Sequence, residues 1–273
     1  MPWEKKKMLV WCQTYPALST RYVETVCTGA IELGTSGLMR LYPLVLRGLD
    51  QDAAHNKWSV IEANVKRTTR DSRPESWRID NSSITFIDRY EDTADARRVT
   101  DLYKEEHVFE GLEHLMREQV QNKTSMGLVD AELVSARVER ISEKEQAQWQ
   151  EKFKEVTANR DLWSPDITPI PCAKLRPLLT FRCAGDSQAY ERTGMGWEIY
   201  ALANKILRPH PDASIEELSA LFEAGLRRNC FRDIHDTKLA LGNIQRFPSQ
   251  FSIISVLYPR SKRFDPTAQQ SLF

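Results

Sequence analysis

The chain has 273 residues, 41% of them hydrophobic and 28% charged, which is ordinary globular composition and long enough for one large domain or two modest ones. Lysine plus arginine equal aspartate plus glutamate at 38 each, so no net field draws the molecule onto DNA, and nucleic-acid binding requires charges sorted onto one face. The apolar run at 8–12 is too short for a signal peptide, no stretch approaches the roughly 18 apolar residues of a membrane span, and the five cysteines show no CxxC or metal-finger spacing, so a cytoplasmic protein with reduced thiols and no membrane contact is expected.

In chain order, residues 8–15, 22–33, 38–45, 58–67 and 84–90 read as short strands, and the glycines of the Gly34-Thr35-Ser36-Gly37 connection predict a hairpin between the second and third. Five strands with turns between them predict a small barrel or strongly curved sheet. Three- and four-residue apolar spacing predicts a helix over 92–121, and alternation predicts a strand over 128–141. A polar stretch at 142–159 then leads to the proline-rich segment 163–171, where the division falls: 1–160 as a β-rich nucleic-acid-binding domain with inserted helices, 161–273 as a mixed α/β catalytic domain. Beyond it the sequence predicts a strand at 175–183, helices at 196–207 and 214–229 (the second opened by the Ser214/Glu217 capping box), a strand pair at 238–244 and 251–258, and a tail from 260. The fold class expected is α+β, with a barrel-like N-terminal half, a mixed α/β C-terminal part and no internal repeat.

On the third strand Arg40 and Tyr42 share a face, presenting a cation beside a ring as a phosphate and a stacked base require; the alternative is that Tyr42 is core and Arg40 covers an edge. The pattern of residues 27–31, a glycine turn, and Arg40-Leu41-Tyr42-Pro43 resembles the opening of oligonucleotide-binding-type β modules in prokaryotic proteins that travel with mobile elements and phage-defence genes. That resemblance covers about the first eighty residues and implies a basic run at 66–78 as well. Lys66, Arg67, Arg70, Arg73 and Arg78 around Trp77 make this the densest basic stretch, suited to single strands or distorted duplex, or else a solvated loop.

Two constellations in the C-terminal part offer carboxylates. Asp186 and Glu198 lie at a strand-to-helix junction, Glu198 near a helix N-terminus where its anion is favoured. Asp236 precedes a strand that ends at Asn243, with Arg246 beyond it as a further contact to nucleic acid. Asp236 is the leading candidate for the carboxylate that steadies an oxocarbenium-like sugar during N-glycosidic cleavage, the bland alternative being a turn residue. Phosphate-loop, zincin, zinc-deaminase and nucleophile-elbow signatures are lacking, and neither a metal nor a cofactor is expected. The expected function is base excision from modified DNA in anti-phage defence, with a faint resemblance to bacterial anti-phage glycosylases; DNA is favoured over RNA. The alternatives are a nuclease, for which Asp130, Glu132 and Arg137 on one strand face are a weak match, and a non-catalytic binder.

Overall fold

The computed structural model describes residues 2–45, 56–68, 71–90, 102–158 and 170–261. It is an α+β protein dominated by strands. The N-terminal half closes the expected barrel: β1 (Glu4–Gln13), β3 (Val23–Glu32), β4 (Leu38–Leu44), β6 (Ser76–Ile79) and β5 (Ser59–Arg67) pair in that order, and β5 returns to β1. Every pairing in the ring is antiparallel except β4 with β6. Short β2 (Ala17–Ser19) pairs with β3, and β7 (Thr85–Arg89) with β5. Alternate residues fill the barrel: Met8 and Val10 from β1, Met39 and Leu41 from β4, and Ile61, Ala63 and Val65 from β5. The predicted hairpin is β3 to β4, turning through Gly34 at φ 102°.

The C-terminal half repeats this connectivity. Its first strand is the nearly continuous pair β9 (Met126–Asp130) and β10 (Glu132–Arg140), followed by β11 (Leu175–Arg182), β12 (Tyr190–Thr193), β13 (Lys238–Ile244) and β14 (Phe247–Leu257). β10 pairs with β11, β11 with β12, β14 with β13 and β13 with β9, all antiparallel. The ring closes where Gly194, just past β12, bridges in parallel to Ile253 of β14. In both halves the third strand therefore meets the fifth in parallel, and the fourth meets the first. The division expected at 160/161 falls inside this second ring, because β10 and β11 pair directly across it. No internal repeat was legible because the two halves share strand order and not residues.

Helices attach around the second ring. Residues 91–101, the start of the helix expected at 92–121, lie outside the described residues. Within the rest of that span Glu105–His107 forms one short 3-10 turn, 108–109 forms β8 (Val108–Phe109), parallel to β9, and the α-helix is α1 (Leu112–Asn122). The polar stretch after β10 is also a helix, α2 (Glu143–Ala158), opened by a reciprocal Ser142/Glu145 cap. Its Trp149, Phe153 and Val156, spaced four and three apart, reach the first ring and cover Leu18, Tyr22 and Val23. Between the third and fourth strands lie α3 (Trp197–Leu207) and α4 (Ile215–Asn229), the latter with the predicted Ser214/Glu217 capping box and with Leu218, Phe222 and Leu226 in the core. Of the tail expected from 260, residues 262–273 lie outside the described residues. No described helix is long and apolar enough to cross a membrane.

The rings pack outer face against outer face. Leu9, Trp11, Ile31 and Val60 from the first meet Met126, Leu128, Ala240, Ile254 and Leu257 from the second in one buried cluster. Strands β1 and β13 are consequently buried on both sides, which is why residues 8–12 and 239–242 are near-continuous apolar runs. Gly29 of β3 belongs to this crowding, since a Cβ there would lie 2.4 Å from Cys12 Sγ.

A polar knot completes the seam and corrects the expected role of Arg40. Its face is the one predicted, but the second ring covers it: Arg40 is 5% exposed and Nη2 donates to Ser125 O at 2.8 Å. Glu75 accepts from the same residue, from Ser125 N at 3.0 Å and Oγ at 2.7 Å. Arg73, expected to meet phosphate, forks onto Asp71 at 2.7 and 2.9 Å and donates Nη1 to Asn243 O at 2.9 Å. Changing Glu75 to alanine orphans two buried donors on Ser125, so urea unfolding of the full chain is expected to show a loss of about 2–4 kcal/mol. A midpoint unchanged from wild type would return residues 71–78 to a solvated loop.

Candidate site at the barrel seam

At one end of the seam the two rings leave a cavity of about 490 Å³, within the range that holds small ligands. Gln13 from the end of β1, Glu24 from β3, Lys57 and Trp58 ahead of β5, and Trp197 and Glu198 from the first turn of α3 all line it, with Pro16, Asn56, Arg89 and Ile170. The two sides are fixed to one another by backbone: Thr14 bridges to Gly196, and Tyr15 N donates to Met195 O at 2.8 Å. Tyr15 also stacks on Tyr200 and Trp197, at centroid distances of 4.4 and 5.9 Å, holding the start of α3 in place.

Trp58 is held in the left-handed region at φ 72°, which for a bulky side chain costs on the order of 1–3 kcal/mol. Its backbone is clamped on both sides, N to Val10 O at 2.7 Å and O to Tyr90 N at 2.9 Å. The strain thus sits in a residue of the cavity wall and is sustained by the ladder around it.

In the wall lies an ion pair, Lys57 with Glu198, backed by Ser255 and Val256 of β14. Lys57 Nζ donates to Ser255 Oγ at 2.7 Å, Glu198 Oε1 at 2.9 Å and Val256 O at 3.1 Å, which uses all three of its protons. Glu198 Oε1 also accepts from Ser255 Oγ at 2.5 Å and Val256 N at 3.3 Å. Burial by itself would raise the Glu198 carboxyl, but the Lys57 ammonium and the Ser255 hydroxyl outweigh it and hold the group below the usual carboxylate range. The first turn of α3 favours the same anion. Glu198 is therefore ionised at neutral pH, suited to steadying positive charge or orienting a water and not to donating a proton.

The expected catalytic residues do not converge. Glu198 alone lines the cavity. Asp186 caps α1, accepting from Leu112 N at 3.0 Å and Glu113 N at 2.9 Å, which engages both of its oxygens. Asn243 is buried in the seam, its amide donating to Pro248 O at 2.7 Å. Asp236 is half-exposed and 3.7 Å from Lys238 Nζ, which is bonded more closely to Asp130. Two of the three residues weighed for a nuclease are engaged as well: Asp130 by Lys238, and Arg137 by Glu191 at 2.8 Å and Glu139 at 2.6 Å.

The expected nucleic-acid contacts divide into two groups. Arg40 and Arg73 are seam struts, as described above. Lys66 and Arg78 face one another across β5 and β6, with Lys66 Nζ 4.4 Å from the centroid of half-exposed Trp3. Arg67 and Lys6 stand over Trp77 at 4.6 and 5.0 Å, although Arg67 also donates to Ser76 O at 3.2 Å. Tyr42 is 53% exposed, so it is not core. Arg246 lies at the exposed β13–β14 turn over the ring of Phe247. Arg70 lies outside the described residues. Sequence reading missed Gln13, Lys57, Trp58 and Ser255, because their partners are far away in the chain.

The ionised state of Glu198 sets a pH dependence. A carboxyl whose folded value lies below its unfolded one, near 4.5, adds stability that is fully present above that value and lost as pH falls through the folded value. Glu198→Gln lacks this contribution, so the gap in urea midpoint between wild type and variant is expected to narrow as pH is lowered from about 7 to about 3. A gap independent of pH would mean that Lys57 does not hold the anion.

A family profile described as "Domain of unknown function (DUF8758)" matches residues 4–104, and one described as "Domain of unknown function (DUF8757)" matches residues 105–273. No curated protein matches the chain significantly. The two matches meet between the rings, ahead of β8. Over residues 105–273, the larger part of its length and the part that builds the second ring, the chain belongs to the DUF8757 family.

Proposed function

We propose that the protein acts on nucleic acid, DNA before RNA, and excises a modified base drawn into the cavity between the rings. The observation that carries this reading is the cavity itself: nucleoside-sized, walled in part by Trp58 and Trp197, and backed by the ionised Glu198. The strand order supports it, since a five-stranded barrel with one parallel pair is the connectivity of oligonucleotide-binding barrels, and the chain contains that order twice. Lys66, Arg67, Arg78, Trp3 and Trp77 supply charges and rings for a backbone and its bases. The setting that goes with this reading is cytoplasmic, against foreign DNA.

In the reaction the N-glycosidic bond breaks, the hydroxyl of a water adds to the sugar carbon, and the water's other proton leaves with the base. In this reading the Glu198 anion steadies the positive charge developing on the sugar or orients that water. Glu198 thus replaces Asp236 as the leading carboxylate. A second reading, a non-catalytic binder, is favoured by one observation: the other expected catalytic groups are engaged structurally.

Glucosylated and plain DNA, incubated with the full chain and then treated with alkali, separate these readings. Base excision leaves alkali-labile sites, and folded Glu198→Gln is expected to slow their formation by about 10²–10⁴ while Asp236→Asn does not. Magnesium-dependent breaks without alkali would indicate a nuclease, and no breaks a binder. Each phosphate contact also releases counterions, so changing Lys66 and Arg78 together to alanine is expected to flatten the salt dependence of single-strand binding by about two contacts, ~0.7 in slope for each. An unchanged slope would move the backbone track to another face.

A further inference from the structure

Gln13 is 7% exposed, lines the cavity, and its Nε2 is buried with no hydrogen-bond partner among the described residues. A buried amide donor left unmatched costs about 1–3 kcal/mol, and such groups are rare enough to need a reason. Its place on β1 is not adjustable: Gln13 pairs with Thr28 in the ladder, and the next residue, Thr14, is locked by accepting from Cys27 N at 3.0 Å. The backbone of Gln13 is thus fixed beside the cavity by the first ring.

The other polar groups of the wall limit what can meet it. Glu198 is anionic, and Glu24 is a buried carboxyl that accepts from Ile170 N at 3.0 Å. Lys57 has no proton left to offer. Among the described lining residues Arg89 is the remaining cation, and it is exposed, placing it at the solvent edge. Among the described lining residues, a phosphate inside would meet the anionic Glu198 and no free cation, whereas a neutral planar ring would meet tryptophans and an amide.

We infer that Gln13 is the specificity-determining residue of the seam cavity, pairing its amide with the adjacent donor and acceptor on the edge of a neutral nucleobase while the phosphates stay outside. A glutamine amide meets such an edge in two bonds, as it does on adenine in a groove. This rests on the proposal that the cavity takes a base. It goes beyond that proposal by naming the group that chooses which base.

Calorimetric titration of the full chain with deoxyadenosine, deoxycytidine, deoxyguanosine and thymidine, and with N-methylindole as a flat ring lacking such an edge, tests it. For the nucleoside that wild type binds best, Gln13→Leu is expected to weaken binding about tenfold or more and to leave N-methylindole unchanged. Gln13→Glu, of the same shape but without the donor, is expected to alter the order of preference. Circular dichroism and the thermal transition establish that each variant is folded. Equal affinities and order in wild type and both variants would overturn the role of Gln13 while leaving the cavity as a base site. Failure of every nucleoside to bind wild type would overturn both.

Discussion

The contact on which the rest of the structure depends is the burial of two barrel walls against each other. Met8 and Val10 fill the first ring while Leu9 and Trp11, on the other side of the same strand, fill the space between rings, and in the second ring Leu239 and Leu241 face inward while Ala240 faces the seam. Each large side chain so buried contributes roughly 1.5–3 kcal/mol of hydrophobic stabilisation. The geometry also determines what remains for function. The second ring covers the outer face of the first as far as Arg40. What is left is the cavity where the walls diverge and the far side of the first ring.

Charge follows the same division. The equal numbers of acidic and basic residues conceal that several cations are not surface charges. Arg40, Arg73 and Lys57 each reach from the first ring to the second, and each donates to a backbone carbonyl there. Removing such a group leaves buried acceptors without partners, so the struts set the relative placement of the rings more than they add net stability. Lys66 and Arg78 stand opposite one another in the ladder, away from the seam.

Short-range features were legible in the sequence. The Gly34 turn, the alternation over 128–141 and the Ser214/Glu217 cap each depend on residues a few positions apart, and the structure has a turn, strands and a cap at these places. The Ser142/Glu145 cap and the Trp149, Phe153, Val156 stripe were equally local signals, obscured by the polar composition of α2. The short strand β6 hid inside the basic run, where Arg73, Trp77 and Arg78 drew attention to their charge and rings and not to Ser76 and Ile79 of the ladder. Long-range pairings left no local trace. Lys57 meets Glu198 across 141 positions and Ser255 across 198, so no spacing could announce the cluster behind the cavity. Arg40 lies on the face opposite Met39 and Leu41, as strand alternation dictates, but the second ring that covers this face is not visible from its neighbours in sequence.

The central claim is that a base enters between the rings, and photo-cross-linking tests it most directly. Single strands carrying iodouracil, irradiated with the full chain and mapped by mass spectrometry, are predicted to attach to Trp58 or Trp197 in the cavity wall. Attachment confined to Tyr42, Trp3 or Phe247, all exposed on outer surfaces, would place the bases outside the seam and contradict the claim.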